Sequence, residues 1–123
     1  MSSHDFDQLL IEHQNFVQDR DWHQFHTPKN MATCIAVEAA ELLAHYTWHI
    51  DGKPSNAPGT EAPDTALIAA EAADVFLSLI GFCSVANIDL LAASKRKLQA
   101  LGAKYPVELA RGSAVKDPTA KVD

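Results

Sequence analysis

Two short acidic clusters constrain this chain more than any other feature. They are Glu38-Ala-Ala-Glu41 and Glu71-Ala-Ala-Asp74. Each lies in a run of Ala, Leu, Val, Ile and Phe with no period-two alternation, so each reads as helix. On a helix, positions i and i+3 share one face, about 5–6 Å apart at Cβ. Any fold that packs the two runs together draws four carboxylates into apolar surroundings, where they repel and desolvate one another unless a cation neutralises them. Carboxylate oxygens suit a hard divalent ion, Mg²⁺ first with Mn²⁺ as the alternative, whereas zinc recruits His or Cys.

The 123 residues are enough for one domain, expected over 1–123, and the 47% hydrophobic and 21% charged content is that of a globular chain. A net charge of −6 argues against a nucleic-acid polymer as partner, since such binders present a basic face. It leaves a nucleotide substrate open, because a bound cation inverts the local sign. Cys34 and Cys83 sit in apolar helical runs without metal-ligand spacing and are expected as reduced core residues. No leader-like segment opens the sequence, and no apolar run is read as approaching about 18 residues. The expectation is therefore a cytoplasmic protein with no membrane contact.

Residues 4–20 form an amphipathic helix by the spacing of Phe6, Leu9, Leu10, His13, Phe16 and Val17. A connection follows at 20–26, and its Trp22 and Phe25 either cover the end of the core or offer a flat surface to a ring. Thr27-Pro28 is a helix start, with Thr as N-cap and Pro at N1. That helix is expected to run to about His49, with apolar positions on more than one face and so packing on two sides. Gly and Pro exclude regular structure over 51–63. Asp64 caps a second long helix, 65–86, in which Gly81 permits a close helix contact. Asn87 stops it, and Asp89 caps a shorter helix over 90–101 with Gly102 at its C-terminus. A partly ordered tail is expected over about 104–123. The fold class is all-α, an antiparallel helical bundle with one long loop.

Two i,i+3 carboxylate pairs on facing helices suit metal-assisted hydrolysis of a phosphoanhydride, because a bound ion polarises a phosphoryl group and acidifies a water. The bland alternative is a pair of solvated acidic faces. Oxidative di-iron chemistry needs Glu-x-x-His on two helices. Here His45 follows Glu41 by four residues, and no histidine follows Asp74 in that way. Lys95, Arg96, Lys97 and Lys104 give the last long helix a cationic end, part of which complements the helix dipole. There is no Gly-rich phosphate loop, so any grip on phosphate comes from metal and side chains.

Arg20-Asp-Trp-x-Gln-Phe-His26, Pro28-x-Asn30, Glu38-x-x-Glu41-Leu42, Trp48, Asp51-Gly52-x-Pro54, Glu71-x-x-Asp74-Val75 and Tyr105-Pro106 together resemble the MazG-like nucleoside triphosphate pyrophosphohydrolases, especially their dCTP pyrophosphatase and integron-borne branches. The resemblance spans about residues 9–116. It implies an all-α homodimer or homotetramer that cleaves a (deoxy)nucleoside triphosphate between the α and β phosphates. It matches Glu38, Glu41, Glu71 and Asp74 to the Mg²⁺ ligands, with Glu41 or Glu38 as acceptor of the water's proton. His13, Trp22 and Trp48 match the base pocket and tilt the preference toward cytosine; Lys97 and Tyr105 match the phosphate-handling residues. Structural alternatives stand beside two of these: a hydrogen-bonded core role for His13 and a helix-end anchor for Trp48. The sequence departs from the family at Leu101, where an Asn is usual, and at Ala70, where an acid is common. Leu101 is the best support for the rival reading, a catalytically weak helical bundle that binds nucleotides or a protein.

Overall fold

The computed structural model describes residues 2–52 and 64–116, and these form two compact units, one through Asn87 and one from Ile88. The first unit holds α1 (Ser3–Asp19), a single 3₁₀ turn (His23–Phe25), α2 (Pro28–Ala44) and α3 (Thr65–Val85); the second holds α4 (Leu90–Lys104) and α5 (Val107–Ala110). No strand occurs among the described residues. Most of the expected loop, 53–63, lies outside them.

Each long helix starts where its sequence supplies a cap. Ser2 and Asp5 form a capping box on α1. Thr27 accepts from the Asn30 N–H at 3.1 Å with Pro28 at N1. Asp64 accepts from both the Ala66 and Leu67 N–H groups, and Asp89 from Ala92. The connection before α2 is pinned by Asn30, whose amide donates to the Phe25 carbonyl at 2.9 Å. The turns also use left-handed residues of the types that tolerate it, Asp21 at φ 54° and Asn87 at φ 55°.

Two helix ends differ from expectation. α2 stops at Ala44 rather than near His49. Beyond it the chain tightens, with Tyr46 N–H to Leu43 O and Thr47 N–H to Ala44 O, and the Thr47 hydroxyl takes the same Ala44 carbonyl at 2.8 Å. That local competition diverts the helix ladder. α4 runs through Gly102 to Lys104. One interior glycine costs about 1 kcal/mol relative to alanine, which a helix absorbs. The effective stop is Pro106, which forces Tyr105 out of helical geometry to φ −119°, ψ 69°.

The core of the first unit gathers Phe6, Met31, Ile80 and Cys83, with Ile80 fully enclosed, and Gly81 buried beside them. Phe6 meets Phe76 edge-on, ring centroids 6.2 Å apart. Phe6 beside Phe76 and Gln14 beside Ser84 make α1 parallel to α3. Met31 beside Gly81 and His45 beside Glu71 make α2 antiparallel to α3. Cys83 is buried as expected, but Cys34 is exposed, on a face of α2 left uncovered among the described residues.

One further expectation is corrected. α3, 21 residues long with a mean hydropathy of 1.9 over its 18-residue window, is long and apolar enough by length and composition to cross a membrane. Glu71 and Asp74 interrupt its apolar character, and both lie against α2. Much of the remaining apolar surface is uncovered: Leu43, Leu67, Val37 and Ile11 are all exposed.

Asp64 answers two of the orphan N–H groups of α3. Asp64→Ala is expected to lower stability by about 1 kcal/mol, read from the urea midpoint, and Asp64→Asn by less, since Asn caps about as well as Asp.

Candidate metal centre

Glu38 and Glu41 lie one helical turn apart on α2, and Glu71 and Asp74 likewise on α3. The antiparallel register sets these faces together. Glu38, Glu71 and Asp74 each offer a carboxylate oxygen within 4.8 Å of the others. Glu38 and Glu71 are half-buried and Asp74 is exposed. One oxygen on each glutamate, Glu38 Oε2 and Glu71 Oε2, is shut off from solvent without a hydrogen-bond partner. Buried acceptors left in this state are rare in folded proteins. The Glu38 carboxyl is held above its ordinary pKa, first by the hydrogen-bonding approach of Glu41, then by desolvation and by the charges of Glu41, Asp74 and Glu71.

Three convergent carboxylates with two orphaned oxygens fit a divalent cation, and an all-oxygen donor set is that of a hard ion. Glu41, expected as a fourth ligand, lies against Glu38 but stands outside the trio. A residue left unassigned in the sequence borders the trio: His45 places Nε2 3.5 Å from Glu71 Oε1. The signal was present in the spacing of Glu38, Glu41 and His45, which lie on one stripe of α2.

An open cavity of about 420 Å³ lies further along α3, between it, α1 and the 3₁₀ turn, lined by His13, Gln14, Val17, His23, His26 and Ser84 among others. Burial, then the neighbouring His26, lowers the His13 pKa, so the ring is neutral at physiological pH. Gly81 floors the cavity, and a Cβ there would meet Met31 Cε at 2.7 Å and His13 Cε1 at 3.2 Å. The close contact expected of Gly81 is therefore real: α1, α2 and α3 converge over it.

The other expected site residues are placed elsewhere. Trp22 packs edge-on against Phe16, centroids 5.7 Å apart, where the Arg20 guanidinium also lies 3.7 Å from the Phe16 ring centroid. Phe25 is 60% exposed and Trp48 is 70% exposed, the latter in the turns after α2. Neither tryptophan lines the cavity with His13. Lys97 lies on α4 and Tyr105 at its end, with the Lys104 ammonium 5.5 Å from the Tyr105 ring centroid. Both belong to the second unit.

These features define a class: an all-α protein with an acidic centre built for a divalent cation. No family model matches the chain. It is 34% identical over 107 residues to dCTP pyrophosphatase 1 of Bos taurus and 33% over 104 residues to that of Homo sapiens. Those matches cover 85% of this chain, which spans 61% of the length of each relative. A crystal structure of a pyrophosphatase from Archaeoglobus fulgidus superposes with a TM-score of 0.67 at 32% identity, over 86% of this chain and 96% of that one. The chain belongs to the MazG-like nucleoside triphosphate pyrophosphohydrolase family.

Removing one charge from the cluster should separate its two costs. Glu38→Gln is expected to raise the thermal midpoint of the metal-free protein, because like charges are relieved. It should also shrink the rise that millimolar MgCl₂ gives the parent, because a ligand is lost. A lower metal-free midpoint would show that the carboxylates do not strain the fold.

Proposed function

We propose that this chain hydrolyses (deoxy)nucleoside triphosphates to monophosphate and pyrophosphate with Mg²⁺, Mn²⁺ being the alternative ion. The observation that carries the reading is the trio Glu38, Glu71 and Asp74, each offering an oxygen within 4.8 Å of the others, in which both glutamates also carry a buried oxygen without a partner. Those three residues would hold the ion, and when bound it supplies charge neutralisation for phosphate oxygens and acidifies a water.

Glu41 is the proton acceptor in this scheme. It is exposed, it adjoins Glu38, and it is not drawn into the trio. A carboxylate free of the ion can orient a water and take its proton. The water oxygen forms a bond to the phosphorus under attack as the bridging P–O bond breaks. The electron pair of that bond leaves on the departing phosphate, and the water's proton goes to a Glu41 oxygen. Glu38 keeps its role as ligand, with Glu41 fixed one turn away.

The base is assigned to the cavity at His13. From Asp74 to Gly81 is about 10 Å along α3 at 1.5 Å rise per residue, a gap that the sugar and inner phosphate would bridge. A neutral His13, Gln14, Gln18 and Ser84 offer donors and acceptors to an uncharged base edge. The relatives named dCTP pyrophosphatase 1 favour a cytosine deoxynucleotide. Trp22 and Trp48 remain proposed ring partners, and Lys97 and Tyr105 proposed phosphate contacts, by family resemblance. The uncovered apolar surface of α3 and the exposed Leu43 and Leu67 suit a second copy of the chain, giving a homodimer or homotetramer.

Pyrophosphate release from a panel of deoxynucleoside triphosphates with Mg²⁺ tests the activity. dCTP is expected to be turned over fastest; no turnover of any nucleotide at micromolar enzyme would favour the binding-only reading that Leu101 suggests. Glu41→Gln is expected to lower kcat by about 10²–10⁴-fold while Mn²⁺ affinity stays near that of the parent. Equal loss of both would make Glu41 a ligand instead. Light scattering should give at least twice the 13.4 kDa chain mass; a monomer would remove the proposed partner copy.

A further inference from the structure

His45 sits at the C-cap of α2, where its N–H is shared between the Leu42 and Leu43 carbonyls and its backbone is fixed at φ −64°, ψ −17°. The side chain crosses to α3 and is half-buried, as is that of Glu71. Its Nε2 lies 3.5 Å from Glu71 Oε1, an ion-pair approach longer than an ordinary N–H···O hydrogen bond. What such a contact supplies is orientation more than strength.

The two oxygens of Glu71 are thereby divided. Oε1 faces His45, while Oε2, like Glu38 Oε2, is closed to solvent and has no hydrogen-bond partner. A glutamate side chain has three free torsions, and without an anchor its carboxylate could rotate to present either oxygen. Groups that hydrogen-bond a ligating carboxylate from outside commonly orient it and set metal affinity.

We propose that His45 is a positioning residue for the metal centre: it holds Glu71 Oε1 so that Glu71 engages a divalent cation through Oε2 alone. The proposal rests on the carboxylate trio being a cation site. It separates His45 from its neighbour on the same turns, His49, whose Nε2 instead faces Asp51 at 3.4 Å.

Geometry decides which substitutions should matter. Gln carries its amide nitrogen to the position of Nε2, whereas Asn reaches only that of Nδ1, and Leu fills the space without a donor. Mn²⁺ titration of the full chain, with free ion read by electron paramagnetic resonance, tests the three. His45→Gln is expected to bind Mn²⁺ within about 3-fold of the parent, and His45→Asn and His45→Leu about 10–100-fold more weakly. Helical circular dichroism should be the same in all.

Parent-like Mn²⁺ affinity in His45→Leu would overturn the proposal, as would equal weakening of the Gln, Asn and Leu variants, which marks a packing role only. Glu71→Gln in the same titration separates the two levels of inference. If it abolishes binding while the His45 variants do not change it, the cation site stands and the positioning role falls. If the parent itself binds no Mn²⁺, both fall together.

Discussion

Mutual repulsion of carboxylates across the α2–α3 contact is the constraint around which the first unit is built. Glu38, Glu71 and Asp74 are brought together by helix register, in a setting that leaves two of their oxygens without water or a donor. A fold selected for stability alone would place apolar side chains at such a contact. A cation offsets the repulsion and satisfies the orphaned oxygens in one step, so the same feature that weakens the metal-free fold makes the loaded one. The Glu38 carboxyl is held above its ordinary pKa first by the hydrogen-bonding approach of Glu41 and then by desolvation, with the charges of Asp74 and Glu71 adding least.

Packing around Gly81 carries that arrangement from one end of the helices to the other. Met31 and His13 both come within reach of the missing Cβ, so α1 and α2 share one point of close approach on α3. That point sets the height of α2 against α3, and hence the register at Glu38. It also leaves room beside His13 for the cavity. The fold therefore links the acidic site and the hollow beside His13 through one close helix contact at Gly81.

The four long helices, three of their N-caps and the acidic faces were legible in the sequence because each is a local pattern: Thr27-Pro28, Asp64 and Asp89 are capping chemistry, and ExxE and ExxD are helix geometry; the Ser2–Asp5 cap and the short α5 were not read. Local competition was harder to read. The end of α2 turns on the Thr47 hydroxyl taking the Ala44 carbonyl, and the end of α4 on Pro106 outweighing Gly102. Least legible were relations between elements. His45 was weighed only against a di-iron pattern, four residues after Glu41, and its partner Glu71 lies across a register that no single stretch reveals. Cys34 looked like core because its run is apolar, yet it is exposed among the described residues.

The alanines within the clusters now acquire a physical reason. Like charges at i and i+3 work against a helix by a few tenths of a kcal/mol. Ala is the best helix former, with other ordinary residues costing up to about 0.7 kcal/mol each. Ala39, Ala40, Ala72 and Ala73 thus offset locally the repulsion their flanking carboxylates impose, and none adds a polar group that could compete for a cation. High helix propensity at these four positions holds the carboxylates at fixed spacing along each helix. Metal binding then draws on a prepared geometry rather than having to fold one, and the residual freedom in the site is confined to side-chain torsions such as those of Glu71.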